Sequence, residues 1–121
     1  MKNILLIEDD YLSQRTMNAI LKKSYNVDFC VSADNFYSNY VNEKFDLIIM
    51  DISLGSGKDG LQLTKEIKKM SNFSNTPILC ITAHAFRQDR KNAYDAGVDF
   101  YLSKPVSNEI VLETISELLN T

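Results

Sequence analysis

Asp46-Leu47-Ile48-Ile49-Met50-Asp51 is the stretch that decides the fold. Four consecutive large apolar residues read as a short buried strand. The carboxylate that ends it, Asp51, then falls at the carboxyl edge of a sheet, where open α/β folds place their chemistry. Three other runs end in the same way. Ile4-Leu5-Leu6-Ile7 leads into Glu8-Asp9-Asp10, Ile78-Leu79-Cys80-Ile81 into Thr82-Ala83, and Phe100-Tyr101-Leu102 into Ser103-Lys104-Pro105. An acid cluster, a lone Asp, a Thr and a Lys, each just past a strand, make one composite site.

Outward from this stretch, strand and helix patterns alternate from end to end. Strands are predicted over Asn3–Ile7, Val27–Val31, Phe45–Met50, Ile78–Thr82 and Val98–Leu102, with Val27–Val31 at a sheet edge because it alternates. Helices are predicted over Tyr11–Lys23, with Leu12, Thr16, Ala19 and Ile20 on one stripe, and over Asp34–Asn42. A third covers Leu61–Met70, where Leu63, Ile67 and Met70 keep helical spacing, and a polar fourth covers Arg87–Ala96, closed by Gly97. Ser107 caps the last, whose apolar face is Ile110, Val111, Thr114, Ile115, Leu118 and Leu119. Gly55-Ser56-Gly57-Lys58-Asp59-Gly60 is dense in turn residues and reads as a loop. Five βα units imply an α/β fold with a parallel sheet covered by helices on both faces; in the flavodoxin-like doubly wound class, which is the expectation here, the strand order is 2-1-3-4-5.

The chain has 121 residues and 45% apolar content, which suits one domain spanning residues 1–121. No stretch approaches the roughly 18 apolar residues of a membrane span, and no secretory signal is visible. A cytoplasmic location is the expectation. The net charge of −3 argues against direct nucleic-acid binding. Cys30 and Cys80 fall on strands three spacings apart, about 14 Å, beyond the roughly 7 Å that a disulfide spans. They read as reduced, buried structural thiols. Met1 leading straight into the first strand points to a true N-terminus, and nothing after the fifth helix reads as an output domain; a stand-alone protein and a piece of a longer one both remain open.

Glu8, Asp9 and Asp51 converge if the first and third strands are neighbours. One carboxylate pair at 4 Å costs about 4 kcal/mol at an effective dielectric near 20. Such a cluster either keeps protons at raised pKa or holds a cation, and hard oxygen ligands suit Mg²⁺. The Lys104 ammonium is drawn to the acids and is expected to pair with Asp51 at rest. Thr82 reads either as a strand-end hydroxyl capping a turn or, beside a phosphorylated Asp, as a donor to a phosphoryl oxygen. His84, the only histidine, reads as a solvated loop residue near the mouth of the site.

The chain resembles a response-regulator receiver domain of two-component signalling. The resemblance covers essentially the whole sequence and rests on Ile7-Glu8-Asp9-Asp10, Ile49-Met50-Asp51-Ile52-Ser53-Leu54, Asp59-Gly60, Ile81-Thr82-Ala83, Ala96-Gly97-Val98-Asp99 and Tyr101-Leu102-Ser103-Lys104-Pro105. It implies that Asp51 is the phosphoacceptor, taking a phosphoryl group from a histidine kinase or a histidine phosphotransfer protein. It implies Mg²⁺ held by Asp9 directly, by Asp51, by the backbone carbonyl of Ser53, and by Glu8 through water. Thr82 and Lys104 resemble the pair that contacts the phosphoryl oxygens, and Tyr101 the aromatic switch that changes rotamer. A downstream effector protein would then read the face of the fourth helix, fifth strand and fifth helix. The segments around Thr82 and Lys104 are most like receivers of hybrid kinases and stand-alone phosphorelay proteins. One departure is Gly55 where the family commonly has proline, with Asp59-Gly60 one residue late. The alternative of a docking module that never takes phosphate would be favoured by loss of Asp51 or Lys104, and both are present. A phosphatase wants Asp-x-Asp after the first strand, and a flavodoxin a hydroxyl-rich loop there; Glu8-Asp9-Asp10 supplies neither.

Overall fold

The computed structural model describes residues 1–54, 58–83 and 86–120. The Gly55-Ser56-Gly57 part of the expected loop, and His84, lie outside the described residues. The elements are β1 (Asn3–Ile7), α1 (Tyr11–Leu21), β2 (Asn26–Cys30), α2 (Ala33–Asn39), β3 (Leu47–Met50), α3 (Gly60–Lys68), β4 (Ile78–Thr82), α4 (Arg87–Ala96), β5 (Phe100–Ser103) and α5 (Asn108–Leu119). All strand pairs are parallel and the sheet order is β2-β1-β3-β4-β5, as expected.

The apolar runs look continuous because both faces of the sheet are covered, yet each strand still divides its residues by alternation. Leu5, Ile7, Ile48, Met50, Ile78 and Cys80 pack on one face with Phe36, Leu63, Ile67 and Phe73 of α2, α3 and the turn after it. Ile4, Leu6, Leu47, Ile49, Leu79 and Ile81 pack on the other with Leu21 of α1 and Val111 and Ile115 of α5. Cys30 and Cys80 are buried free thiols.

One expected helix face is rotated. In α1, Leu12 is 73% exposed and Thr16 and Ala19 are exposed too; Leu21, with Met17 and Ile20, carries the packing. The core stripe there sits about one position further along than expected, because a helical side chain covers the turn before its own Cα. In α5 the expected face holds: Val111 and Ile115 are buried and Leu118 and Leu119 pack against them, while Ile110, at its edge, is 46% exposed.

Helix starts follow local chemistry. The side chains of Asp10, Ser32, Asp59 and Ser107 accept from the N–H groups of Ser13, Asn35, Gln62 and Ile110. Gly97 ends α4 in the left-handed region at φ 116°. Gly60 has a different reason. Its N–H donates to the Ile52 carbonyl at 2.8 Å, and a Cβ there would lie 2.2 Å from the Asp51 carbonyl oxygen. The first turn of α3 is thus pressed against the main chain that carries Asp51.

In an open helix, Gly→Ala is favourable by roughly 1 kcal/mol. At position 60 the collision with backbone outweighs that gain, since overpacking costs about 1–3 kcal/mol. Gly60→Ala is expected to lower the unfolding free energy by about 2 kcal/mol, measured by urea denaturation. A stabilised variant would show that α3 can draw away from Asp51 at no cost.

Candidate active site

The site is assembled by strand register. Ile7 of β1 and Met50 of β3 are partners, so Glu8 and Asp51 leave the sheet side by side. The Glu8 N–H donates to the Cys30 carbonyl at 2.9 Å and the Asp51 N–H to the Ile7 carbonyl at 3.1 Å, which carries the ladder one residue past the strands. Carboxylate oxygens of Glu8, Asp9 and Asp51 all lie within 4.8 Å of one another. Glu8 is buried, the Asp51 side chain is 12% exposed, and Asp9 is exposed.

Each acid has its own restraints. Glu8 Oε1 accepts from Lys104 Nζ at 3.0 Å, and Oε2 from the Asp10 N–H at 3.3 Å. Its carbonyl accepts from Gln14 Nε2 at 2.6 Å. Asp51 Oδ1 accepts from the Ser53 N–H at 3.2 Å, while Oδ2 lies 3.7 Å from Lys104 Nζ. Lys104 therefore hydrogen-bonds Glu8 and stands at ion-pair distance from Asp51, rather than pairing with Asp51 first. The reason is position: Glu8 is the more deeply buried acid, so its charge gains most from the ammonium. The Lys104 N–H donates to the Thr82 carbonyl at 2.8 Å and ties the ends of β4 and β5 together. Thr82 is fully buried. Three converging carboxylates form a set of hard oxygen donors that fits a divalent cation such as Mg²⁺.

The sequence matches the model of the response regulator receiver domain over residues 4–116. The chain belongs to the response-regulator receiver family. It is 33% identical over 117 residues to the regulatory protein VanRB of Enterococcus faecalis, an alignment that takes 96% of this chain and 51% of that protein. It is 28% identical over 124 residues to hybrid signal transduction histidine kinase I of Dictyostelium discoideum, covering 95% of this chain and 7% of that one. The receiver thus spans about half of the first relative's length and a small part of the second's. Among solved structures, the receiver domain of a sensor histidine kinase from Pseudomonas aeruginosa, with magnesium in its active-site cleft, superposes with a TM-score of 0.90. Identity there is 29%, over 99% of this chain and 98% of that one. A response regulator receiver domain protein of Methanospirillum hungatei gives 0.89 at 28% identity, over 99% and 94%.

In this receiver Glu8, Asp9, Asp51, Ser53 and Lys104 stand together, and Thr82 is tied to Lys104 through the main chain. Asp10 does not join the acids; it caps α1. Tyr101 is buried on the α4 side, with its hydroxyl without a hydrogen-bond partner among the described residues. Its N–H donates to the Tyr94 hydroxyl at 3.1 Å. Gln14 and Tyr94 were not foreseen; each bonds a main-chain atom six or seven residues away, outside its own helix, which no local motif announces. A cavity of about 570 Å³ between α1 and α5 runs up to Glu8, Asp51 and Lys104. Leu12 and Thr16 line it, which explains why they are absent from the core.

Burial pushes the Glu8 carboxyl up to about 7, with Asp51 adding to the rise and the Lys104 hydrogen bond opposing it. Burial presses Lys104 down, but its bond to Glu8 and the charges of Glu8 and Asp51 more than offset this and leave it raised. A carboxyl raised in the fold stabilises the protein fully below its unfolded value of 4.5, and that contribution is lost as pH climbs toward about 7. Metal-free receiver is expected to lose melting temperature over that window, and Glu8→Gln to flatten the slope. An unchanged slope in Glu8→Gln would assign the titration to another group.

Proposed function

We propose that this receiver is a phosphorylatable switch that takes a phosphoryl group from phosphohistidine onto Asp51 and thereby changes its affinity for a downstream protein. The observation that carries the reading is Asp51 itself: a nearly buried carboxylate, held at one oxygen by the Ser53 N–H, between two acids and an ammonium 3.7 Å away. Asp9, Asp51 and the Ser53 carbonyl are the direct ligands in this reading, and Glu8 acts through water. Mg²⁺ held there supplies positive charge that offsets the repulsion between the acids and an incoming phosphoryl group.

Asp51 attacks phosphorus in line; an O–P bond forms as the P–N bond breaks, and the imidazole leaves with the electron pair. Lys104 turns from Glu8 to a phosphoryl oxygen, and the Thr82 hydroxyl donates to another. The chain modifies only its own carboxylate, so it turns over no separate substrate beyond its own phosphorylation and dephosphorylation. The donor is a histidine kinase or histidine phosphotransfer protein of the cytoplasm, docking along the apolar cleft between α1 and α5 that ends at Asp51. Residues 1–121 act as one receiver unit with no direct role in binding nucleic acid. No helix among the described residues is long and apolar enough to cross a membrane.

The output face is α4-β5-α5. α4 is thinly fastened, since only Ala93 and Ala96 of its ten residues are buried, and small side chains leave little area to lose on moving. Movement of Thr82 toward a phosphoryl group reaches β5 through the Lys104 main chain, and β5 reaches α4 through the Tyr101–Tyr94 bond.

Incubation with acetyl phosphate is expected to add one phosphoryl group by intact mass, lost on chelation of Mg²⁺ and in Asp51→Asn; equal labelling of Asp51→Asn would sink the assignment. Lys104→Ala is expected to acquire some phosphate but to confine NMR shift changes to the neighbourhood of Asp51 at equal occupancy. Shifts spreading to Tyr101 and α5 in that variant would leave the coupling to Thr82 alone.

A further inference from the structure

On the α2–α3 side of the molecule, three donors converge on one carboxylate that the switch chemistry does not use. Glu66 Oε1 accepts from the Tyr37 hydroxyl and from Lys58 Nζ at 2.8 Å, and Oε2 accepts from Gln62 Nε2 at 2.9 Å. Lys58 Nζ also stands 5.4 Å from the centre of the Tyr37 ring, within cation–π range. Together the donors pull the Glu66 carboxyl down to about 2, Lys58 foremost. Tyr37 is not a loose partner, because its neighbour Phe36 is fully buried against Phe73 and anchors α2 in the core.

Lys58 comes one residue before Asp59, the cap of α3, and two before Gly60. Gly60 is the residue pressed against the Asp51 carbonyl and bonded to the Ile52 carbonyl. Fastening Lys58 to α2 and to the middle of α3 therefore fastens the first turn of α3 against the main chain of the phosphoacceptor. An isolated ion pair this exposed contributes at most about 1 kcal/mol to stability, so stability alone is a poor account of four side chains meeting there.

We propose that Tyr37, Lys58 and Glu66 are positioning residues, a latch that holds the start of α3 against Asp51 and Ile52 and so sets the affinity of the acid cluster for a divalent cation. The inference rests on the receiver reading above. Groups behind metal ligands commonly change affinity by about tenfold or more when removed.

The test is Mg²⁺ titration by calorimetry of wild type, Lys58→Ala, Glu66→Ala and Tyr37→Phe, with circular dichroism to confirm folding. A latch requires that loss of the cation and loss of the anion act in the same direction. Both single variants are expected to weaken Mg²⁺ binding by about tenfold, Tyr37→Phe to weaken it less, and Lys58→Ala/Glu66→Ala to be no worse than either single change. A plain field effect has the opposite signature: Lys58→Ala would tighten binding and Glu66→Ala would weaken it. That result, or unchanged affinity in the folded variants, overturns the latch. Should Glu66→Ala fail to fold, Lys58→Ala and Tyr37→Phe decide the question with the same criteria. Wild type that bound no Mg²⁺ would bring down the receiver reading, and the latch with it.

Discussion

Three carboxylates crowded at the end of a parallel sheet are the constraint from which the rest of this molecule follows. Glu8, Asp9 and Asp51 bring oxygens within 4.8 Å of one another, and mutual repulsion at such range amounts to several kcal/mol, on the order of 4 kcal/mol per pair at 4 Å. The fold answers with donors on several sides. Lys104 comes from just past β5, the Asp10 N–H from the cap of α1, and the Ser53 N–H from the turn after β3. Burial nonetheless holds the Glu8 carboxyl up, with Asp51 adding to the rise against the Lys104 bond. Three acids so placed call for a cation or a proton.

The sequence was most legible where one physical cause dominates. Burial on both faces of the sheet gives Ile4–Ile7, Leu47–Met50 and Ile78–Ile81 their unbroken apolar runs, and parallel pairing brings their carboxyl ends, with Glu8, Asp51 and Thr82, to one edge. The shared edge followed from that alone; the strand order that makes Glu8 and Asp51 neighbours came from the fold class. Legibility failed where a contact depends on the last ångström or on direction. Leu12 looks like a core residue by periodicity, but the tilt of helical side chains puts Leu21 inside instead. Asp59-Gly60 was visible as a motif, yet the collision that demands glycine exists only once α3 lies across Asp51. Lys104 was legible as a partner of the acids in general; which acid it bonds depends on relative burial. The Tyr37–Lys58–Glu66 group joins residues far apart in sequence and carries no local signature.

Rigidity is distributed unevenly around the acids. On the α3 side, Gly60 touches the Asp51 main chain, and caps and ion pairs hold the helix start. On the α4 side the buried residues of the helix are Ala93 and Ala96, and the Tyr101 N–H donates to the Tyr94 hydroxyl. The main chain that carries Asp51 is thus packed directly against α3, whereas α4 gives the core only small side chains.

Tyr101 joins the two sides of that contrast. Its ring is buried in the cluster that also holds Cys80, Ala93 and Val98, and burying a large aromatic side chain gains about 1.5–3 kcal/mol. Its N–H donates to the Tyr94 hydroxyl at 3.1 Å and so ties β5 to α4. A ligand shifts a conformational equilibrium only by its differential interaction with the two states, and a difference of about 1.4 kcal/mol between two arrangements of this contact is tenfold in population.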